Sequence, residues 1–565
     1  MRCFLASIAA LSATACATPQ ASSSPAALTT VGIVAFNDFH GQLEARAVQA
    51  KNAAPDGNIR TSEAGGAARL ANAVETIRSR YRYSATVSAG DLIGASPISS
   101  SLFLDEPTIE AMNRIGLDFN AVGNHEFDRG RAELVRMQEG GCEQHTMRQP
   151  CAVEKFKGAD FGFLSASTFT ETGKTLFPAT GLKRFGHGKS AVALGFIGLT
   201  LRSTPSLVSA GGVATLTFGD EADAINAAVP KLKAAGADAI IVLIHQGGKA
   251  AGTSDGNRCD GLEGAILPIL ARLDPRVDAV VSGHTHQAYV CNHAAPGSTK
   301  PMLLTSAGSQ GRLVTEIALV IDPVRNRVIA RRARNHDVAA PNYAADHRLA
   351  AYVQRYVDAV RQLAMRPAGA LSGPASRSKD GTGGALGNLI ADAQLAATRA
   401  SGAQIALTNP FGIRAPLVPD ASTHLTFSQI YAAQPFGNVL VTRSFSAAQI
   451  KALLEQGVDD DGPVQYLAPS RDLAYCADHS RPAGRRIVDL TFAGHPLRQD
   501  ATYRVTSNSF LAGGGDGFSV FRQGTNHAIG PSDLDALEKW LAPEAARRVP
   551  TERRVCPGRP ENPAP

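Results

Sequence analysis

The sequence lacks three features that would each point to a whole class of protein. It has no block of consecutive lysines and arginines, and its 56 basic and 50 acidic residues leave a net charge of only +6, so a dedicated DNA- or RNA-binding protein is not expected. It has no apolar run of the roughly 20 residues that a membrane-spanning helix needs. It has no Cys-x-x-Cys pair, which argues against a thiolate metal site.

What remains is the composition of an ordinary globular protein. Hydrophobic residues make up 44% of the chain and charged residues 19%, which excludes a mainly disordered protein. The 565 residues are too many for a single core, so two or three domains are expected.

The first 27 residues have the pattern of an export signal. One positive charge, Arg2, precedes a short apolar run that ends in small residues, as in secretory signals. The following stretch, Ser12-Ala13-Thr14-Ala15-Cys16, is similar to the lipobox of bacterial lipoproteins, although Ala13 stands where Leu is usual. Two outcomes stay open, a lipid on Cys16 that tethers the protein to a membrane, or simple cleavage nearby. In both cases we predict an exported bacterial protein, either periplasmic or anchored at the membrane.

Six further cysteines favour disulfides, because their number is even and the chain is expected to be exported. Six cysteines allow 15 connectivities. We predict that neighbours along the sequence pair, as Cys142–Cys151, Cys259–Cys291 and Cys476–Cys556.

The order of apolar and polar segments predicts an α/β protein. Between Val31 and about Asp337, short runs rich in Val and Ile end abruptly in polar motifs, with helical stretches between them, as in buried strands of a layered sheet. A 3.6-residue apolar periodicity from Tyr343 to Met365 predicts one amphipathic helix that connects two domains. The remainder has its own supply of apolar residues.

Five short polar motifs carry the chemistry, and each follows a strand-like run. They are Asp38-Phe39-His40, Gly90-Asp91, Gly123-Asn124-His125-Glu126, His245 and Gly283-His284-Thr285-His286. Each motif alone could be a loop that caps a helix. Together they supply oxygen and imidazole ligands without sulfur, which suits divalent cations. A carboxylate shared by two cations holds them ~3.5–4 Å apart, the separation that suits an in-line displacement.

At these motifs the sequence resembles the calcineurin-like metallophosphoesterases and, more narrowly, the 5'-nucleotidase family. The resemblance rests on Asn37-Asp38-Phe39-His40-Gly41 and Gly123-Asn124-His125-Glu126-Phe127-Asp128. It implies an α/β fold with an N-terminal four-layer α/β/β/α metallophosphoesterase domain over residues 28–341. A linker helix over 342–366 would join it to a C-terminal α/β nucleotide-binding domain over 367–550, followed by a Pro-rich tail over 551–565.

The resemblance also implies two divalent metal ions, of Mn, Zn, Co or Mg, and a catalytic dyad. One ion would be held by Asp38, His40, Asp91 and His286, and the other by Asp91, Asn124, His245 and His284. The best-known bacterial member has Gln at the position of His286, which leaves the metal preference open. His125 and Asp128 match the dyad of the family.

In the C-terminal part the resemblance implies a nucleotide-binding site. Phe436 and Phe510 would sandwich the base, Asp516 would bind the ribose hydroxyls and Arg414 the phosphate. Aromatic faces stack on any base for ~1–3 kcal/mol each, and arginine matches phosphate oxygens bidentately. Further contacts are expected from Asn409 and Asn438, with Arg377 as the best candidate for a second phosphate-binding arginine.

The expected protein is therefore an exported hydrolase that releases phosphate from 5'-nucleotides, with nucleoside di- and triphosphates and UDP-sugars as further substrates. Metal-activated hydroxide would attack phosphorus, and His125 would stabilise charge or protonate the leaving oxygen. Two alternatives stay open. One is a 2',3'-cyclic-nucleotide phosphodiesterase or another phosphoesterase of the superfamily, and the other is a non-catalytic nucleotide-binding surface protein. The partner is a small nucleotide, with no nucleic acid or protein partner implied.

Overall fold

A computed structural model describes residues 28–49, 61–146, 148–188, 191–251, 256–294, 301–460, 463–542 and 546–557. The predicted signal and lipobox in residues 1–27, including Cys16, lie outside the described residues. So does the end of the predicted tail, from residue 558 onward.

Two mixed β-sheets of six strands form the centre of the N-terminal half within the described residues. Central strands are parallel to their neighbours. Antiparallel strands close both edges of the second sheet and one edge of the first, whose other edge strand, Gly162–Leu164, is parallel to its neighbour. The first sheet has the spatial order Arg327–Asp337, Leu313–Asp322, Thr29–Phe36, Tyr83–Ser88, Phe119–Ala121 and Gly162–Leu164. The second sheet has the order Ala288–His293, Met302–Ala307, Ala279–Ser282, Ala239–Ile244, Val192–Leu199 and Thr180–Phe185.

The two sheets pack face to face, and helices cover their outer faces. Along the strand Thr29–Phe36, Val31 and Ile33 point into the core between the sheets, whereas Val34 and Phe36 pack under helices, because successive side chains alternate across a strand. The helices on the first sheet are Ala67–Arg78, Ile98–Ser101, Glu106–Ile115 and Gly130–Glu139, and those on the second are Glu221–Ala234 and Ile266–Leu270. This is the four-layer arrangement predicted from the sequence.

Parallel strands bring the five polar motifs to one end of the two sheets. Each of five strands ends one or two residues before a motif, namely Thr29–Phe36, Tyr83–Ser88, Phe119–Ala121, Ala239–Ile244 and Ala279–Ser282. Since the carboxyl ends of parallel strands meet at one edge, this is where an open α/β sheet builds its site.

The predicted connector forms a helix, His347–Ala364, that begins after Asp346. Asp346 caps it by accepting a hydrogen bond of 2.8 Å from the amide of Leu349. The helix packs on the N-terminal half, against Ala67–Arg78 and Glu106–Ile115. Its apolar stripe is buried as predicted up to Val360, whereas Leu363 is 39% exposed.

The C-terminal half has a mixed sheet of five strands, with the order Ala468–Pro469, Ile405–Thr408, Thr502–Asn508, Val439–Ser446 and Thr525–Ser532. A second sheet holds His495–Pro496, Ile487–Phe492, Leu473–Ala477 and Val555–Cys556. The helices are Gly384–Thr398, Phe427–Ala433, Ala447–Gln456, Ser509–Ala512 and Asp533–Leu541. Helix Gly384–Thr398 is buried on nearly all sides, so it forms the centre of this half.

The two halves meet at several places. Helix Phe427–Ala433 packs against the connector helix and against Ile98–Ser101, and the turn Gly515–Gly517 packs on Thr204–Leu207. Arg148 donates hydrogen bonds to the carbonyl of Ser101 at 2.6 Å and to the hydroxyl of Tyr431 at 3.1 Å.

All three predicted disulfides are confirmed. Cys142–Cys151, Cys259–Cys291 and Cys476–Cys556 are bonded, with Cα–Cα distances of 5.5, 5.1 and 4.5 Å. Within the described part of the chain, no helix combines the length and the apolar character needed to cross a membrane.

Candidate active site

A first group of ligand atoms converges at the carboxyl ends of the central strands. The Nε2 atoms of His40 and His286 lie 3.0 Å apart. The Oδ1 atom of Asp38 lies 3.9 Å from the first and 3.4 Å from the second. Asp38 is fully buried, and Asn37 fixes its carboxylate by donating a hydrogen bond of 2.6 Å to Oδ2. Two nitrogens and one oxygen therefore point at one place.

A second group lies beside the first and contains Asp91, Asn124, His245 and His284. The Nε2 atom of His245 lies 3.0 Å from Asp91 Oδ2 and 3.2 Å from Asn124 Oδ1. The Nδ1 atom of His284 lies 3.1 Å from the same Asn124 oxygen. These atoms are as close together as the ligands of one cation.

Asp91 joins the two groups. Its Oδ2 atom lies 3.0 Å from His245 in the second group and 3.8 Å from His40 Nε2 in the first. Its Oδ1 atom accepts the backbone amide of His125 at 2.9 Å, which fixes the carboxylate plane. The arrangement matches the predicted bridging position of Asp91, although its role as a ligand stays a prediction.

The surrounding hydrogen bonds orient the imidazoles as ligands. The Nδ1 atom of His40 faces the carbonyl of Gly94 at 3.0 Å, and Nδ1 of His245 faces the carbonyl of Ala89 at 2.8 Å. A carbonyl can only accept, so each Nδ1 carries a proton, and in the neutral imidazole each Nε2 presents a lone pair. Metal-binding histidines commonly have this tautomer and this kind of partner.

The electrostatics of the site favour bound cations. Burial alone would raise the pKa of Asp91, but the facing imidazoles of His245 and His125 hold it well below its ordinary value. Conversely, burial would lower the pKa of His245, but the charge of Asp91 raises it to about 10. Two buried carboxylates among four imidazoles therefore draw positive charge into the site. Nitrogen and oxygen ligands without sulfur fit hard or borderline divalent cations.

Five of the seven candidate ligands have a left-handed backbone, which is uncommon for residues other than glycine. Their φ angles are 51° for Asp38, 50° for His40, 52° for Asp91, 73° for His284 and 56° for His286. Such conformations cost about 1–3 kcal/mol each and concentrate at functional sites, where the surroundings enforce them.

Glu126 fastens together the two loops that carry Asp91 and Asn124. It is 3% exposed. Its Oε2 accepts the amides of Asp91 at 2.9 Å and Gly123 at 2.8 Å, and its Oε1 accepts the amide of Leu92 at 2.9 Å and the Asn120 side chain at 3.1 Å. Burial and the charge of Asp91 raise the pKa of Glu126, and the amides of Leu92 and Asp91 oppose this effect by donating to the carboxylate. Glu126 stands within a predicted motif, but its spacing alone did not reveal this role.

His125 and Asp128 form the pair that the motif predicted. The Nδ1 atom of His125 lies 2.9 Å from Asp128 Oδ2 and 3.0 Å from Oδ1. Burial lowers the pKa of His125, but the charges of Asp128 and Asp91 outweigh it, so that the pKa is raised. Asp128 therefore holds the proton on Nδ1 and leaves Nε2 for a reacting oxygen. The catalytic role of the pair stays a prediction.

Phe436 of the C-terminal half reaches His125, and Arg414 lies beside Phe436. The ring of Phe436 stacks on the imidazole of His125, with the centroids 5.9 Å apart and an interplanar angle of 13°. The guanidinium carbon of Arg414 lies 5.9 Å from the centroid of Phe436. Burial lowers the pKa of Arg414, and the charges of Asp91 and Asp128 oppose this only in part, so this cation faces the acidic site. The predicted phosphate-binding residue thus lies next to the candidate metal ligands.

A chain of hydrogen bonds positions Asp516. Asn508 donates to Asn409 Oδ1 at 3.0 Å, and Asn409 donates to Asp516 Oδ2 at 2.8 Å. Burial raises the pKa of Asp516 to about 6. The side-chain amide of Asn409 thus joins Asp516 and Asn508, and its predicted contact to base or sugar stays a prediction.

The other predicted substrate residues lie around this centre. Phe510 packs on Gly515, and Asn438 accepts a hydrogen bond of 3.1 Å from Ser509. Arg377 donates to the carbonyl of Pro410 at 3.1 Å. Among the described residues Phe436 makes its ring contacts with His125 and Arg414, with no direct ring contact to Phe510. The sandwich of these two rings therefore stays a prediction.

A cavity of about 140 Å³ lies between the halves, beside the first ligand group. The N-terminal half contributes His40, His286 and Gln310, and the C-terminal half contributes Arg377 and Arg414. Arg46 also lines it. No motif pointed to Arg46, because it stands on a separate strand, Arg46–Gln49, whose position depends on the fold.

Comparison with known proteins agrees with this geometry. Residues 32–288 match the family model of the calcineurin-like phosphoesterases, and residues 362–523 match that of the 5'-nucleotidase C-terminal domain. A solved 5'-nucleotidase precursor from Thermus thermophilus is 26% identical, has a TM-score of 0.78, and covers 94% of this chain and 100% of its own.

Two curated relatives are similar over most of this chain. A snake venom 5'-nucleotidase from Gloydius brevicauda is 25% identical over 584 residues, which cover 93% of this chain and 91% of the venom protein. The endonuclease YhcR of Bacillus subtilis is 28% identical over 515 residues, which cover 90% of this chain. The match spans only 39% of that endonuclease.

Proposed function

Because the chain belongs to the 5'-nucleotidase family of calcineurin-like phosphoesterases and is therefore a phosphoesterase hydrolase, we propose that it releases phosphate from 5'-nucleotides with the help of two divalent metal ions. The observation that carries the proposal is the convergence of the seven predicted ligands into two groups that share Asp91. Arg414 and the His125–Asp128 pair lie beside them.

The residues have distinct roles in the proposed reaction. Asp38, His40, Asp91 and His286 hold one cation, and Asp91, Asn124, His245 and His284 hold the other. Two cations lower the pKa of a bound water and take up negative charge from the phosphoryl oxygens.

His125 acts on the oxygen that leaves. Since Asp128 keeps the proton of Nδ1 and raises the pKa, the imidazolium form is available to donate from Nε2. Arg414 and Arg377 bind phosphate oxygens, Asp516 binds the ribose hydroxyls, and the rings of Phe436 and Phe510 bind the base.

In this proposal each predicted domain has its own role. Residues 28–341 hold the metals and the dyad, residues 342–366 connect, and residues 367–550 recognise the nucleotide. We further propose that the protein is exported through the signal in residues 1–27, since the similar Thermus protein is described as a precursor. Incorporation of radioactive palmitate that is lost in Cys16→Ser would support lipidation, whereas unlabelled wild type would favour simple cleavage.

The decisive experiment measures metal content and phosphate release together. Purified metal-free protein is titrated with Mn²⁺, Co²⁺, Zn²⁺ and Mg²⁺, and AMP hydrolysis is followed with and without EDTA. We expect about two bound ions per chain and activity that EDTA abolishes. A protein that binds no divalent ion would refute the proposal. A panel of AMP, UMP, ATP, UDP-glucose and 2',3'-cyclic nucleotides then identifies the substrate, and preference for the cyclic esters would establish the alternative reaction.

A further inference from the structure

The cavity between the halves is lined by three arginines, and none of the described residues that line it is a carboxylate. Arg377 and Arg414 come from the C-terminal half, and Arg46 is the lining guanidinium that the N-terminal half supplies. His40 and His286 form the wall on the side of the first ligand group. A cavity with this lining is a site for an anion.

We propose that Arg46 binds a second phosphate, next to the terminal one attacked at the metal ligands, in substrates that carry more than one, so that the enzyme favours nucleoside di- and triphosphates over monophosphates. The inference rests on the proposed function of this site, because it assumes that a nucleotide binds there. Arg46 would act as a specificity-determining residue.

The backbone at Arg46 is firmly held. The strand Arg46–Gln49 pairs with Thr61–Ala64, and Arg46 stands opposite Ala64. The root of this hairpin is fixed by two backbone hydrogen bonds, from Gly65 to the carbonyl of Val338 at 2.8 Å and from Ala67 to the carbonyl of Leu43 at 3.0 Å. The side chain of Arg46 therefore leaves the fold at a defined place.

The charges around Arg46 leave its corner of the cavity cationic. A second guanidinium, that of Arg312, lies close enough to lower the pKa of Arg46 together with burial, and Glu44 is the carboxylate that opposes this effect. Two neighbouring cations and one acid leave an excess of positive charge. Each further phosphate adds negative charge and acceptor oxygens, which a guanidinium fork binds bidentately.

The size of the cavity fits this assignment. A cavity of about 150 Å³ holds a molecule of the size of benzene, so about 140 Å³ gives room for phosphate groups but not for a whole nucleotide. The predicted nucleoside-binding residues Phe436 and Asp516 do not line the cavity, so in this assignment the nucleoside lies outside it while the phosphates occupy it. Arg414 contacts Phe436 and so lines the part of the cavity nearest the nucleoside. Arg46 lines a part of the cavity that the N-terminal half supplies.

The test compares kcat/KM for ATP, ADP and AMP in wild type, Arg46→Ala and Arg46→Lys, with the exposed Arg327→Ala as a matched control. A hydrogen bond to a charged group contributes about 1.5–3 kcal/mol, so we expect the ratio of kcat/KM for ATP to that for AMP to fall roughly tenfold or more in Arg46→Ala. Arg46→Lys should recover part of the ratio, and Arg327→Ala should leave it unchanged. An equal loss on all three nucleotides, or no loss, would overturn the proposal.

A direct binding measurement separates this inference from the proposed function. Calorimetric titration of the metal-loaded protein with inorganic pyrophosphate and with orthophosphate needs no turnover. We expect Arg46→Ala to weaken pyrophosphate binding roughly tenfold and to weaken orthophosphate less. If wild type hydrolyses no nucleotide but this difference appears, the proposed function fails and the anion site stands. If nucleotides are hydrolysed but the difference is absent, the anion site fails alone.

Discussion

Replacing Glu126 by Gln tests whether the metal site depends on the carboxylate that joins its two loops. Gln keeps the size of the side chain, but its amide nitrogen cannot accept a hydrogen bond. The amide nitrogen replaces one of the two carboxylate oxygens, so two of the four donors lose their acceptor. These are either the amides of Asp91 and Gly123, or the amide of Leu92 and the side chain of Asn120. A buried donor left unpaired costs about 1–3 kcal/mol, so the two together cost about 2–6 kcal/mol.

This cost falls on the geometry of Asp91 and Asn124, and therefore on metal affinity. Loss of a partner outside the ligand shell typically costs 10–100-fold in metal affinity. We expect a loss of this size for Mn²⁺ in Glu126→Gln, measured by competition with a fluorescent chelator. In thermal unfolding of the metal-free protein, the melting temperature should fall by roughly 5 °C or more.

The control is Glu75→Gln, which changes an exposed glutamate on helix Ala67–Arg78 and should alter neither quantity. If Glu126→Gln folds and binds Mn²⁺ as tightly as wild type, Glu126 does not position the ligands and the reasoning is wrong. A lower melting temperature with unchanged metal affinity would refute the link between the loops and the site in the same way.

Three further predictions concern catalysis and nucleotide binding. His125→Ala should lower kcat roughly 10²–10⁴-fold with metal content intact, and an equal loss of metal would identify His125 as a ligand instead. Because the pKa of Asp516 is raised to about 6, its ionised form is lost as the pH falls through that value. KM for AMP should therefore rise below pH about 6 while KM for an aryl phosphate does not, and a pH-independent KM would refute ribose binding by the carboxylate. Phe510→Ala should raise KM for AMP and leave KM for an aryl phosphate unchanged. Phe436→Ala uncovers His125, so it should also lower kcat for the aryl phosphate. If both variants change the kinetics of the two substrates equally, the rings only pack.

The fold was largely predictable because its strands are short, apolar and fully buried. The run Ala239–Ile244 is buried along its whole length, so it contains apolar residues only. The polar residue that follows it therefore marks the end of the strand. The three disulfides also join cysteines that follow one another along the sequence, as predicted. The exact start of the connector helix was not predictable from periodicity, since the capping carboxylate of Asp346 decides it.

The candidate site was predictable where a motif carries its own geometry. Asp38 with His40, and His125 with Asp128, are close in sequence and stay close in space. The contribution of Arg46 depends on how a separate hairpin packs, and no spacing reveals that. The placement of Phe436 on His125 was likewise not expected, because it depends on how the two halves meet.

The left-handed backbone of the ligand residues has a consequence for laboratory selection. Glycine adopts such φ angles without steric cost, so a substitution of His284 or His286, which are not fully buried, to glycine relieves backbone strain while deleting an imidazole. Repeated heat challenge without a requirement for turnover would therefore enrich glycine at these positions, and selection for growth on nucleotides as the phosphate source would purge it. Positions at which glycine is enriched under one selection and depleted under the other would identify the functional loops from the sequenced variant frequencies alone.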